Sequence, residues 1–307
     1  MSSHPRETQP GNPDRKPISL PMLAEMKEEG EPIVMVTAYD HPSALIVEEA
    51  GVDVVLVGDS AANNVLGYDS TVPVGMDEML MLASAVRRGL KTPLLIGDMP
   101  FGSYEESNGQ AVRNAQRFIK EAGCQAVKLE RGGVSVDRAE AIVRAGIPVM
   151  GHVGLTPQTH TQLGGYKAQG KTTERAREIA DDAFGLQEAG CFAIVFEAIP
   201  AAITQALMPS MRIPVIGIGA GADTDGQVLV FHDMLGMFDG HMPKFVKRFA
   251  NAREVMIDGV AAYAAEVRAG DFPAPEHIYA VEPAELDAFR AHLSAESESA
   301  FEHDWDW

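Results

Sequence analysis

Four carboxylates and one lysine are spaced so that they could furnish a single polar pocket. Asp59, Asp98, Glu130 and Glu197 each close a short apolar run, and Lys128 lies two residues before Glu130. Three of the acids end a repeated pattern. Glu121–Glu130 (EAGCQAVKLE) and Glu188–Glu197 (EAGCFAIVFE) align without a gap, and Glu49–Asp59 (EAGVDVVLVGD) matches with its acid one step later. In each copy a helix is expected to stop at glycine, which takes the left-handed cap conformation without a Cβ clash. A short strand follows, and the acid falls at its C-terminal end, the face that carries chemistry in parallel α/β folds.

One such acid would serve equally well as a helix cap, but four at equivalent ends are hard to assign to capping alone. Packed carboxylates repel one another and need a cation or shared protons to stay together. Oxygen donors without a thiolate favour Mg²⁺ over Zn²⁺. Caps and solvated strand ends are the alternative reading of the same residues. Period-two alternation puts Lys128 and Glu130 on one face. A lysine inside a barrel needs an anionic substrate or a structural ion-pair partner.

His152 follows the apolar run Val149–Gly151. Ligation, a substrate hydrogen bond and a satisfied core histidine all fit its spacing. Gly217–Gly221 (GIGAG) has the look of a phosphate-cradling loop, yet it lacks a strict fingerprint and has Asp223 and Asp225 nearby, so a tight turn is expected.

The elements that must position these residues alternate. Strands are expected at Ile33–Thr37, Val54–Val57, Leu94–Gly97, Ala126–Leu129, Val149–Gly151, Ala193–Phe196, Val215–Ile218 and, more weakly, Leu235–Phe238. Helices are expected near Met22–Glu29, His41–Ala50, Met76–Arg88, Gln110–Ala122, Val136–Arg144, Glu174–Ala189, Ala201–Leu207, Phe245–Val267 and Pro283–Leu293. Strands that are short, apolar and β-branched suit a sheet covered on both faces. Alternation over roughly 250 residues is the size of a (β/α)₈ TIM barrel, with an open doubly wound sheet as the second choice. Residues 1–17 are expected to form a disordered extension, 18–275 the barrel, and 276–307 an acidic C-terminal extension containing Trp305 and Trp307. The polar loop Leu155–Lys171 is expected to be a lid or a static surface loop.

The formal net charge of −19 over 307 residues argues against nucleic acid or an anionic membrane as partner. Cys124 and Cys191 occupy equivalent places in two repeats, where small core residues are expected rather than a disulfide or a thiolate site. The N-terminal stretch has no apolar secretory core and no run reaches bilayer length, so a reducing, cytoplasmic setting is expected.

These residues also spell a family. Val57–Ser60 (VGDS), Gly67–Pro73 (GYDSTVP), Gly97–Phe101 (GDMPF), Val127–Glu130 (VKLE) and Gly151–Gln158 (GHVGLTPQ) resemble the ketopantoate hydroxymethyltransferase family. Gly164–Gly170 (GGYKAQG), Ile213–Gly221 (IPVIGIGAG), Asp225–Val230 (DGQVLV) and Pro243–Phe245 (PKF) continue the match in order, so that it covers about residues 18–275.

The resemblance implies a (β/α)₈ barrel related to phosphoenolpyruvate mutase and isocitrate lyase, and a homo-oligomer, commonly a decamer. It implies transfer of a hydroxymethyl group from 5,10-methylenetetrahydrofolate to 3-methyl-2-oxobutanoate through a Mg²⁺-stabilised enolate, giving 2-dehydropantoate and tetrahydrofolate. By it, Asp59, Asp98 and Glu130 hold the metal, partly through water. Asp59, Ser60, Asp98 and Lys128 contact the 2-oxo acid, His152 lines its pocket, and Glu197 is the catalytic base. Where many members have two glycines directly after the metal-binding glutamate, this chain reads Glu130, Arg131, Gly132, Gly133. Two other readings compete: a related Mg²⁺-dependent lyase or mutase, and a non-catalytic metabolite-binding barrel. Lyases of that kind carry a reactive cysteine in a catalytic loop, and Cys124 and Cys191 precede strands instead.

Overall fold

The computed structural model describes residues 15–159, 167–238 and 242–301, without the side chains of 296–301. Eight parallel strands close into a barrel in chain order. They are β1 (Ile33–Thr37), β2 (Val54–Val57), β3 (Leu94–Asp98), β4 (Ala126–Lys128), β5 (Val149–Gly154), β6 (Ala193–Glu197), β7 (Val215–Ile218) and β8 (Gly226–Leu229). β1 pairs with both β2 and β8, which leaves no open edge. The helices are α1 (Leu20–Glu29), α2 (His41–Glu49), α3 (Ala61–Asn64), α4 (Met76–Gly89), α5 (Asn108–Lys120), α6 (Val134–Arg144), α7 (Thr173–Glu188), α8 (Ala201–Leu207) and α9 (Phe231–Met234).

The barrel interior is built by alternation. Met35, Leu56, Ile96, Ala126, Met150, Val195, Ile216 and Val228 belong to one buried cluster with Leu23 and Met26 of α1. The other strand face packs with the surrounding helices in a second cluster that includes Val55, Leu95, Val127, Val149, Ile194 and Val215. Lys27 of α1 pairs with Asp225 at 2.8 Å, and the same Asp225 oxygen accepts the Val215 N–H, also at 2.8 Å. Asp225 therefore ties the N-terminal ends of β7 and β8 to α1, at the opposite end from the strand-end acids.

Capping does explain one acid beyond a strand. The Asp40 carboxylate accepts the Ser43 N–H at 2.8 Å and starts α2, a contact worth about 1 kcal/mol.

The eighth strand is Gly226–Leu229, and Leu235 lies past α9. Glycine and the exposed Gln227 hide this strand from a search for apolar runs. Its first residue must be glycine, because a Cβ there would lie 2.4 Å from the Ile33 carbonyl oxygen. β5 runs on to Gly154 and so contains His152. No helix starts at Phe245: the next one, α10, spans Ala252–Ala269.

The chain divides into two compact units, Met1–Asn251 and Ala252–Trp307. The first holds the barrel. The second holds α10 and α11 (Pro283–Phe301), with Phe272 packed against Tyr263 and His277 at ring-centroid distances of 5.5 and 5.2 Å. The expected boundary at 275 falls inside the second unit. Residues 1–14 of the extension expected to be disordered over 1–17, the centre of the expected lid (160–166), and Trp305 and Trp307 lie outside the described residues. Among the described residues no helix is long and apolar enough to cross a membrane.

Candidate active site

Following the interior alternation toward the C-terminal strand ends replaces apolar side chains with ionisable ones. Leu94 and Ile96 lead to Asp98, Ala126 leads to Lys128, Met150 leads to His152, and Val195 leads to Glu197. Glu130 keeps the parity of Lys128 just past β4. Gly58 takes the interior parity on β2, and Asp59 reaches the same space from the turn that follows. One cavity of about 910 Å³ is lined by Asp59, Ser60, Asp98, Lys128, Glu130, His152 and Glu197, so every residue expected at the site is brought together. Asn63, Asn64, Asp69, Lys167, Lys244 and Phe245 complete much of its wall.

Lys128 stands among the acids. Its Nζ lies 2.9 Å from Asp98 Oδ1, 3.6 Å from Glu130 Oε1 and 3.2 Å from His152 Nδ1. His152 Nδ1 is also 3.3 Å from Glu130 Oε1, and its Nε2 is 3.2 Å from Glu197 Oε2 without the alignment of a hydrogen bond. All of these side chains are buried except Glu197, which is 15% exposed to the cavity. The Ser60 hydroxyl shares a hydrogen bond of 2.8 Å with the Tyr39 hydroxyl. Burial pushes the Tyr39 phenol up to about 12, so it stays a neutral partner.

Sequence reasoning missed Tyr104 and Gln158 as site residues. Gln158 lies in a 3₁₀ turn after β5, and its side-chain amide donates to Asp59 Oδ2 and to the Met99 carbonyl, each at 3.0 Å. Its backbone N–H donates to Glu130 Oε2 at 3.1 Å, and the Tyr104 hydroxyl donates to its Oε1 at 2.7 Å. The signal available was a polar residue directly behind Pro157 at the end of the His152 strand, which is too general to single it out.

The charge balance shows the crowding. Burial, then the Asp98 and Glu130 charges, push the Asp59 carboxyl well above its ordinary range. Burial also raises Asp98, although Lys128 works the other way. Glu130 is lowered despite its burial, because Lys128 and His152 favour its charge. Burial and Lys128 both depress His152, yet Glu130 and Glu197 outweigh them and bring it to about 9. Lys128 is raised against its own burial by the three carboxylates of Asp98, Glu130 and Asp59. Lys128 and His152 are thus two cationic groups facing the four carboxyls of Asp59, Asp98, Glu130 and Glu197.

A hard divalent cation suits this environment. Among the described residues the buried Asp98 Oδ1 and Glu130 Oε1 meet only the side chains of Lys128 and His152, and all the candidate donors are carboxylate oxygens. No group of three His, Cys, Asp or Glu side chains closes into a ready-made shell among the described residues.

The acids of β4 and β6 share a further feature. Arg131 and Ala198, the residues directly after Glu130 and Glu197, have φ of 71° and 51°, and they alone have positive φ among the described non-glycine residues. The chain turns sharply there, so the preceding side chain is held at the pocket. After Arg131, Asp182 of α7 accepts the N–H groups of Gly132 and Gly133. A Cβ on Gly132 would lie 1.8 Å from Asp182 Oδ1, so the loop requires glycine at that position.

Other motifs resolve into structure. Gly219 and Gly221 have φ of 64° and 90° and make a tight turn along the cavity wall. Cys124 and Cys191 are buried free thiols just before β4 and β6, at the opposite end of those strands from the acids.

The sequence model of the ketopantoate hydroxymethyltransferase family matches residues 17–275. A 3-methyl-2-oxobutanoate hydroxymethyltransferase of Carboxydothermus hydrogenoformans is 52% identical over 270 residues, covering 88% of this chain and 98% of its own. The 3-methyl-2-oxobutanoate hydroxymethyltransferase 1, mitochondrial, of Arabidopsis thaliana is 47% identical over 305 residues, 95% of this chain and 88% of its own. The fold resembles the crystal structure of 2,3-dimethylmalate lyase, a PEP mutase/isocitrate lyase superfamily member. That match has a TM-score of 0.52 at 15% identity and covers 91% of this chain and 98% of that one. Matched in sequence along nearly the whole barrel, the chain belongs to the ketopantoate hydroxymethyltransferase family.

Proposed function

We propose that this chain joins the one-carbon unit of 5,10-methylenetetrahydrofolate to C3 of 3-methyl-2-oxobutanoate, giving 2-dehydropantoate and tetrahydrofolate with consumption of one water. Family membership carries the reaction. The observation that supports this chain's own competence is the buried set of three acids, Lys128, His152 and Glu197 around one cavity. No related lyase reading survives on a cysteine nucleophile, since both thiols lie away from the cavity.

Asp59, Asp98 and Glu130 would hold Mg²⁺, partly through water. When bound, the cation supplies Lewis acidity that polarises the ketone carbonyl of the 2-oxo acid. Glu197 is the base that takes the C3 proton. It is the acid least enclosed by other charges and the one open to the cavity. The Lys128 ammonium faces negative charge developing on the substrate oxygen, where low dielectric makes its attraction strong. Ser60, oriented by Tyr39, supplies a hydroxyl to the substrate carboxylate. His152 lines the pocket and steadies Glu197. We place the enzyme in a reducing, cytoplasmic setting, a reading that its two free, buried cysteines support, and as a homo-oligomer on the family resemblance alone.

The test is product detection by mass spectrometry after mixing the protein with both substrates and Mg²⁺, beside a chelated control. Metal-dependent 2-dehydropantoate is the expected result. Folded, metal-loaded protein that yields none would overturn the proposal.

A further inference from the structure

We infer that Gln158, locked in place by Tyr104, is the positioning residue that pins one carboxylate oxygen each of Asp59 and Glu130 to the protein and so turns the other toward a divalent cation. The inference rests on the reading of Asp59, Asp98 and Glu130 as the Mg²⁺ site.

Each of the three acids has one oxygen held by the protein. Asp59 Oδ2 accepts the Gln158 side-chain amide at 3.0 Å, Glu130 Oε2 accepts the Gln158 backbone N–H at 3.1 Å, and Asp98 Oδ2 accepts the Asp59 backbone N–H at 3.0 Å. The second oxygens of Asp98 and Glu130 are buried and face the site, where Lys128 Nζ lies 2.9 Å from the first and His152 Nδ1 3.3 Å from the second. Gln158 thus provides two of the three pins, one from its side chain and one from its backbone.

The amide cannot turn over. Its Nε2 already serves two acceptors, Asp59 Oδ2 and the Met99 carbonyl, and its Oε1 already receives the Tyr104 hydroxyl at 2.7 Å. A flipped amide would set oxygen against two acceptors. The Tyr104 hydroxyl in turn accepts the Glu130 N–H at 3.3 Å, so one buried network connects the ends of β2, β3 and β4 with the turn after β5. Groups that orient metal-binding carboxylates in this way contribute to affinity although they never touch the metal.

A purely structural plug would also fill this space, so the test separates the two roles. Full-length wild type, Gln158→Met and Tyr104→Phe are titrated with Mg²⁺ by calorimetry, without substrate. The expected result is Mg²⁺ binding weakened about 10–100-fold in Gln158→Met, and weakened to a smaller degree in Tyr104→Phe. Turnover by Gln158→Met should recover as Mg²⁺ is raised. Wild-type Mg²⁺ affinity in Gln158→Met, or turnover that stays low at saturating Mg²⁺, overturns the inference while leaving the metal site standing. Wild-type protein that binds no Mg²⁺ overturns the metal site itself, and the inference with it. Should Gln158→Met fail to fold, Tyr104→Phe decides by the same titration: weaker binding supports the role and unchanged binding overturns it.

Discussion

Glu197 and His152 face each other across the adjoining strands β6 and β5, with Oε2 of the acid 3.2 Å from Nε2 of the ring. The other ring nitrogen meets Glu130 at 3.3 Å, so the imidazole bridges the expected base and an expected metal ligand.

That bridge gives the metal-free protein a pH signature. His152 is raised from 6.5 to about 9, because the two glutamates outweigh burial and Lys128. The folded protein therefore holds this proton more tightly than the unfolded chain does. The resulting stabilisation is complete below about pH 6.5 and is lost as pH rises through about 9, with an upper limit on the order of 3 kcal/mol. In a chelator, the thermal midpoint of wild type should fall between pH 7 and 9.5 more than that of His152→Gln. Parallel pH profiles for the two would contradict the bridge.

Backbone strain follows both glutamates. A left-handed conformation costs a non-glycine residue about 1–2 kcal/mol, partly offset in glycine by its freedom in the unfolded chain. Arg131→Gly should therefore raise stability by up to about 1 kcal/mol, and Arg131→Val should lower it, since a β-branched residue tolerates this region worst. Urea unfolding of the two variants measures the difference. A glycine variant less stable than the valine variant would show that φ is not the controlling quantity.

Asp98, Lys128, His152 and Glu197 were legible because interior parity is a one-dimensional property: each lies an even number of residues after a buried apolar residue on its own strand. Arg131 stood out as a departure, and it occupies a left-handed turn directly after the acid, a position that would suit glycine better. Tyr104 and Gln158 were not legible. Their importance arises from four hydrogen bonds made to residues 26 to 99 positions away, and no local period encodes those. β8 was misplaced for a related reason. Close approach to Ile33 demands Gly226, and glycine reads as a break.

Both cysteines should be inert in the folded protein. Burial pushes the thiols of Cys124 and Cys191 up to about 12. At pH 8 this leaves a thiolate fraction of roughly one in ten thousand, against about a quarter for a free thiol. Native protein should resist a thiol-colour reagent for hours and titrate promptly once denatured. Prompt reaction of either thiol in the native state would contradict the buried placement.

In the proposed reaction Glu197 removes the C3 proton inside the carboxylate pocket. The most direct measurement is deuterium uptake at C3 of 3-methyl-2-oxobutanoate in D₂O with Mg²⁺ and no folate, followed by NMR for wild type and Glu197→Gln. Wild type should exchange the proton. Glu197→Gln should slow the exchange by about 10²–10⁴-fold, the usual contribution of a positioned base, while still binding the oxo acid. Exchange by Glu197→Gln at the wild-type rate would contradict the account.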